Sequence, residues 1–315
     1  MNKPTIALFA GDPAGIGPEL IQKLLASSSS EMAGQIILIG QQGSLQAPPH
    51  ANWHAWPGFT VAPFTKAVAN ASNGAYMLQA LAEGVALVRD GHADAFCFAP
   101  LNKGALRLGG MHQEDELRWF AEFLNFQGVC GELNVLQNLW TSRVTSHVAL
   151  KKVSELLTPL NVFDSIDMIA GALKASGKSS PRLAVCGLNP HNGDNGNYGD
   201  EEITTIAPGV ELARKAGIDV HGPFPADTAF VRAIRPEGGY DGVVTMYHDQ
   251  GQIAMKLLGF EQGVTVHGGL PIPITTPAHG TAYDIAGAGK ANPGAMVNAF
   301  ELACRMGLSR RQAHA

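Results

Sequence analysis

Three histidines combine the residue type and the setting that metal chemistry needs. His147 lies in "VTSHVAL", His191 in "NPHNGDNG" just after the apolar run "RLAVCGL", and His248 in "MYHDQG" at the end of "DGVVTMYH". Neutral imidazoles suit a divalent transition ion such as zinc, and three of them leave coordination positions open for substrate oxygens. Loops at the carboxyl ends of strands are where α/β sheets place their ligands, so at least His191 and His248 are set to converge. The chain has eleven histidines, and single ones are more often surface or satisfied core residues. Position alone therefore leaves a shared site open.

Two glycine-rich stretches invite a different chemistry. "GDPAGIGPEL" (residues 11–20) follows a short apolar run, but its glycines, Gly11, Gly15 and Gly17, miss the GxGxxG spacing that a dinucleotide turn requires. Pro18 and Glu19 suit the first turn of a helix, which makes this stretch a strand–loop–helix joint. "PAHGTAYDIAGAGKANPGA" (277–295) combines backbone-exposing glycines with His279, Asp284 and Asn292. Were this segment to hold a dinucleotide, a carboxylate such as Asp284 would accept hydrogen bonds from the adenosine ribose hydroxyls and repel an added 2′-phosphate, favouring NAD over NADP.

These residues need a scaffold, and the chain of 315 residues, 45% hydrophobic and 16% charged, is long enough to supply one in two lobes. A net charge of −5, with no run of interleaved Lys, Arg and aromatics, argues against nucleic acid as a partner. The longest apolar runs are strand-sized and no leader precedes them, so we expect no membrane association and a cytoplasmic location. Cys97, Cys130, Cys186 and Cys304 are far apart, which predicts neither a disulfide framework nor a cysteine metal site.

Short apolar runs alternate with segments of helical period, the pattern of an α/β protein. "TIALFA" (5–10), "QIILIG" (35–40), "AFCFAP" (95–100), "RLAVCGL" (182–188) and "DGVVTMYH" (241–248) are predicted strands. "PELIQKLLAS", "EDELRWFAEFL", "SIDMIAGALKASG", "EEITTIAPGVELARKAG" and "PGAMVNAFELACRMG" carry apolar residues three and four apart and are predicted helices. The Pro- and Trp-rich stretch 46–64 is expected to be an irregular excursion.

The pair "GIGPE" and "HGTAYDIAGAGKANP" resembles the isocitrate/isopropylmalate dehydrogenase superfamily. More specifically, "GDPAGIGPEL", "APLNKG", "TSHVAL", "GLNPHNG", "GPFPADTAF", "YHDQG", "KLLGF" and "HGTAYDIAG" occur in the order seen in the PdxA family, the 4-hydroxythreonine-4-phosphate dehydrogenases of pyridoxine (vitamin B6) biosynthesis. This similarity runs from near residue 5 to near residue 305 and is weak only around 41–75. It implies largely parallel sheets covered by helices, in two lobes with a cleft between. The cofactor lobe would be residues 1–125 plus 265–315, and the metal-binding and dimerisation lobe 126–264.

The resemblance further implies NAD on His279, Gly280, Thr281, Ala282, Asp284, Ile285 and Asn292. It implies a divalent metal (zinc, cobalt or magnesium) on His147, His191 and His248, with ligands drawn from both subunits of a homodimer. Asp227 and Asp249 match catalytic aspartates close to the metal, and Lys256 matches a lysine that contacts substrate; by itself Lys256 reads as a surface lysine. The implied reaction is oxidation of a secondary alcohol in a hydroxy acid, followed by decarboxylation, with the cation lowering the hydroxyl pKa and NAD taking hydride.

At the substrate end the chain departs from the family pattern. His112 fits a "GHTE" segment, but Gln113 replaces its threonine; Thr265 stands where asparagine is usual, and Ile274 where an arginine contacts the substrate phosphate. Losing such a charge-assisted contact costs about 1.5–3 kcal/mol and leaves an apolar wall. A non-phosphorylated substrate is then an alternative, as in the terephthalate cis-dihydrodiol dehydrogenases of the same family, although Lys103 or Arg107 offers another phosphate contact. A phosphate acyltransferase would need no three-histidine set, and a non-catalytic binding module is the remaining alternative.

Overall fold

The computed structural model describes residues 3–54 and 64–313. Its strands are β1 (Thr5–Phe9), β2 (Gln35–Ile39), β3 (Ala51–Trp53), β4 (Ala95–Phe98), β5 (Gly131–Leu136), β6 (Leu139–Arg143), β7 (Arg182–Cys186), β8 (Asp219–Phe224), β9 (Gly242–Thr245), β10 (Val264–Gly268) and β11 (Ile274–Pro277). Its α-helices are α1 (Gly17–Leu25), α2 (Ala71–Arg89), α3 (Lys103–Leu108), α4 (Glu116–Phe123), α5 (Val153–Leu156), α6 (Pro159–Ala175), α7 (Ala207–Lys215), α8 (Ala226–Ala233), α9 (His248–Gly259) and α10 (Gly294–Ala313). The chain is α/β, and it divides into two compact units, residues 1–127 with 264–315, and 128–263.

In the first unit the strand order is β3-β2-β1-β4-β11-β10, parallel throughout except for β10, which runs antiparallel to β11. β4 is buried at every position, as a central parallel strand with both faces covered must be. Its side chains alternate: Phe96 and Phe98 join the α2 residues Ala80, Leu81, Val85 and Val88 in one core cluster. The opposite face meets α10, where Thr275 on β11 donates its hydroxyl to the Ala299 carbonyl at 2.8 Å.

In the second unit the order is β5-β6-β9-β7-β8, with β5 and β6 an antiparallel pair and the other neighbours parallel. Ala184, Cys186 and Val243 face Ala229 and Phe230 of α8 and Met255 of α9. Helix α6 packs against β6 and β9, with Ile166, Ile169 and Leu173 buried.

Some expectations need correction. "DGVVTMYH" is strand only to Thr245, because the Met246 N–H turns to the Gln250 side chain (2.7 Å), and His248 opens a helix instead of closing a strand. Within the stretch 46–64, residues 51–53 pair with β2 as a short strand, and 55–63 lie outside the described residues. The four cysteines are free, and Cys97, Cys186 and Cys304 are buried. Among the described residues no single helix is long and apolar enough to cross a membrane.

Candidate active site

In the second unit, strand register determines where the histidines go. Arg143 on β6 is paired in parallel with Thr245 on β9, so His147 and His248, four and three residues further on, leave adjacent strands at the same end. The two segments stay together beyond the sheet. Val144 N–H donates to the Thr245 carbonyl (2.9 Å), and both N–H and hydroxyl of Thr145 donate to that of Met246 (3.1 and 2.7 Å). The imidazole centroids end 5.8 Å apart, a separation that fits two rings sharing one cation through metal–nitrogen bonds of about 2.0–2.1 Å.

On the other side of β9 lies β7, whose carboxyl end leads into His191. Five consecutive residues here, His191 to Asn195, have left-handed backbone, with φ between 43° and 75°. For non-glycine residues that conformation is costly and persists only where the surroundings over-determine it. The buried Glu202 braces the segment that leads into this run: its carboxylate accepts the N–H groups of Leu188 and Asn189, both at 2.7 Å, and the Asn189 amide at 3.0 Å. Gly193 is required, since a Cβ there would lie 2.7 Å from a Glu202 oxygen. Gln250 ties this loop to the His248 turn by donating to the Gly187 carbonyl at 2.8 Å.

His191 itself is exposed, its ring 6.3 Å from that of Tyr198. Among the described residues no three His, Cys, Asp or Glu side chains of this single chain gather closely enough to hold a metal. One chain thus brings His147 and His248 together and holds His191 on the next strand end.

Both predicted aspartates lie at this end of the sheet. Asp249 is exposed and accepts from, or shares a proton with, His248 Nδ1 at 2.7 Å. A proton on Nδ1 leaves Nε2 as the ring's lone-pair donor. Asp227 is exposed in the first turn of α8, which begins after β8, the neighbour of β7. Lys256 is exposed on α9, eight residues past His248 and so about 12 Å along the helix axis. A cavity of about 540 Å³ opens at the opposite, amino ends of β6 and β9, between residues such as Leu139, Arg235 and Tyr240, and contains none of the predicted residues.

In the first unit the same logic gathers three loops, because β1, β4 and β11 are adjacent and parallel. The loop 278–293 after β11 is the predicted cofactor segment. It holds His279 (half-buried), Gly280 (exposed), Thr281, Ala282 (φ 41°), the exposed Asp284, Ile285 and Asn292, whose side chain accepts the Gly294 N–H at 2.9 Å at the start of α10. A Cβ at Gly280 or Gly289 would meet nothing within 4 Å. Open backbone and an exposed carboxylate are what a dinucleotide requires of such a loop.

The opening glycine stretch lies against that loop. Ile16 N–H donates to the Thr281 carbonyl (3.1 Å), and Gly15 lies so close to Thr281 that a Cβ would be 2.9 Å from its side chain. The Tyr283 hydroxyl donates to Asp12 at 2.6 Å. Burial pushes the fully buried Asp12 carboxyl up, and the Tyr283 and Ala14 hydrogen bonds hold it back only in part. Burial and then the Asp12 carboxylate push the Tyr283 phenol up in turn. Sequence reasoning missed Asp12, Tyr283, Glu202 and Gln250; the first two and Gln250 lie inside quoted motifs, whereas Glu202 carried no signal beyond its place in a predicted helix.

The predicted substrate residues are dispersed. His112 is exposed and Gln113 half-buried in the turn before α4, with Gln113 donating to Glu122 at 2.7 Å. Thr265 is half-buried on β10, opposite Thr276. Ile274 requires correction: it is 0% exposed, paired with Phe96 within the apolar core, and walls no site.

The profile of the family described as Pyridoxal phosphate biosynthetic protein PdxA matches residues 22–303. The chain belongs to the PdxA family. Among PdxA relatives, a putative 4-hydroxythreonine-4-phosphate dehydrogenase 2 of Pseudomonas aeruginosa is 50% identical, over 96% of this chain and 97% of its own. A D-threonate 4-phosphate dehydrogenase of Pectobacterium atrosepticum is 37% identical over 96% and 98%. The crystal structure of the Klebsiella pneumoniae 4-hydroxythreonine-4-phosphate dehydrogenase superposes with TM-score 0.83 at 34% identity, covering 97% of this chain and 98% of that one. Beyond these PdxA dehydrogenases, the fold extends to a terephthalate 1,2-cis-dihydrodiol dehydrogenase of Burkholderia xenovorans (25% identity, TM-score 0.70, 96% and 98% covered). It extends further to a beta-decarboxylating dehydrogenase of Thermococcus kodakarensis (14%, TM-score 0.55, 94% and 81%), which shares the fold.

Proposed function

We propose that this PdxA protein is an NAD- and divalent-metal-dependent dehydrogenase that oxidises the secondary alcohol of a phosphorylated hydroxy acid and promotes its decarboxylation. The observation that carries the reading is the emergence of His147, His248 and His191 from three adjacent parallel strands at one end of a sheet, with the first two rings 5.8 Å apart. The relatives named as dehydrogenases of 4-hydroxythreonine 4-phosphate and D-threonate 4-phosphate support the substrate class. When bound, the cation supplies Lewis acidity toward the substrate hydroxyl, and NAD supplies the hydride acceptor.

The chain's own groups have distinct tasks. Asp249 holds the proton on His248 Nδ1 and so directs Nε2 outward. Asp227, exposed at the same sheet end, takes the hydroxyl proton. Lys256 anchors the substrate carboxylate or returns a proton after carbon dioxide leaves. Asp284 binds the adenosine ribose and selects NAD. A second copy of the chain completes the histidine set, so the active species is a homodimer.

A second reading has one observation behind it. The likeness in fold to a terephthalate 1,2-cis-dihydrodiol dehydrogenase (TM-score 0.70) favours a carboxylate without phosphate, whereas Ile274, buried in the core, no longer bears on the choice. Assays with 4-hydroxythreonine 4-phosphate, D-threonate 4-phosphate and a cis-diol carboxylate, each with NAD and zinc, cobalt or magnesium, separate the readings. Turnover of a phosphorylated acid supports the first. Turnover of the diol alone supports the second, and failure to reduce NAD with any of them contradicts both.

A further inference from the structure

One turn of α1 grips the glycine-rich loop through the loop's backbone. The Lys23 ammonium donates to the carbonyls of Gly289 (3.0 Å) and Ala291 (2.7 Å), while the Glu19 carboxylate accepts the N–H groups of the same two residues (3.1 and 2.8 Å). The two side chains are themselves paired at 2.8 Å, four residues apart on the helix. Donor and acceptor of two alternate residues are thus both served, as the edge of a neighbouring strand would serve them, although Gly289 has φ +75° and cannot lie in a strand. Side chains take over a task that the loop's own backbone geometry excludes from any sheet.

An open loop rich in glycine has much conformational freedom to lose when it closes on a ligand. Here residues 289–291 are fixed in advance by α1, and residues 281–283 by the Ile16 N–H and Asp12 contacts. We propose that Glu19 and Lys23 are positioning residues for the nucleotide: by pre-shaping the 279–292 loop they set its affinity for NAD without taking part in hydride transfer. This rests on the NAD reading above. It gives "GDPAGIGPEL" a role as the socket of the nucleotide loop instead of as a nucleotide loop.

The test uses Glu19→Gln, which keeps size and loses charge, Lys23→Met, which keeps the stem and loses the ammonium, and Lys23→Arg as the conservative control. NADH binding is followed by fluorescence titration, and exchange of the 287–292 amides by hydrogen–deuterium exchange on the ligand-free protein. The expected result is an increase in NADH Kd of about tenfold in the first two variants, with partial recovery in Lys23→Arg. The Gly289 and Ala291 amides should exchange faster in those two, and kcat at saturating NAD should stay within about twofold of wild type. A wild-type chain that binds NADH, alongside variants that bind it as tightly, overturns this inference alone. A wild-type chain that does not bind NADH overturns the nucleotide reading and this inference with it. If both variants fail to fold, exchange on the wild type still decides, because unprotected Gly289 and Ala291 amides there would overturn the clamp.

Discussion

His147 and His248 meet across 5.8 Å although 101 positions separate them, because β6 and β9 run parallel in register and their extensions are hydrogen-bonded through Thr145 and Met246. In the proposed site these two imidazoles would supply two of the cation's ligands, and the proposed chemistry depends on them.

Replacing either ring is expected to remove the metal without unfolding the chain. His147 is exposed and His248 half-buried, so His147→Ala and His248→Ala should leave the melting temperature within a few degrees of wild type. Equilibrium dialysis against zinc or cobalt should show loss of the stoichiometric ion. An unchanged metal content in both variants would remove these residues from the site.

Asp249 is expected to act through His248. Asp249→Asn offers the imidazole an amide in place of a carboxylate and should weaken cobalt binding by about 10–100-fold, read from its visible absorption. Equal affinity would show that the aspartate does not set the ring's tautomer.

Glu202 holds the strained His191 loop. Glu202→Ala strands the N–H groups of Leu188 and Asn189 in a part-buried setting and should cost about 2 kcal/mol in chemical denaturation. A loss below about 1 kcal/mol would mean that the left-handed run supports itself.

Acid should loosen the glycine-rich loop in a definite window. Burial alone would raise the Glu19 carboxyl, but Lys23 and the Ala291 and Gly289 N–H groups hold it below its usual 4.5. A depressed folded value means stability fully present above the unfolded value and lost as pH falls through the folded one. Thermal unfolding followed down to about pH 3 should therefore fall more steeply below 4.5 in wild type than in Glu19→Gln. Parallel curves would contradict the assignment.

The legible parts of this fold are those with a single dominant signal. β1, β4, β7 and β9 are short, mostly apolar runs buried on both faces over most of their length, and β2 is buried on one face and partly on the other; such runs bounded by polar segments need no tertiary knowledge to read. Helix α2 gives no such signal because it is apolar nearly all round, with Tyr76, Met77, Leu81, Leu87 and Val88 all buried. The β5–β6 hairpin turns through Gln137 and Asn138, with φ +54° at Gln137 and no glycine to announce it. β11, "ITTP", reads as a polar stretch, so nothing in the sequence reveals that Ile274 belongs to the core. At the site, the histidines stand out by type and setting. Glu202, by contrast, looks like one of three solvent-facing acids in "GDEE" until the loop folds over it.

The most direct measurement is NAD reduction by the purified protein, followed as reduced-nicotinamide absorbance with D-threonate 4-phosphate, 4-hydroxythreonine 4-phosphate and a cis-diol carboxylate, before and after exhaustive chelation. The account predicts turnover of at least one of these acids, lost on chelation and restored by zinc, cobalt or magnesium. Turnover that persists in protein shown by elemental analysis to be metal-free, or no turnover with any of the three, would contradict it.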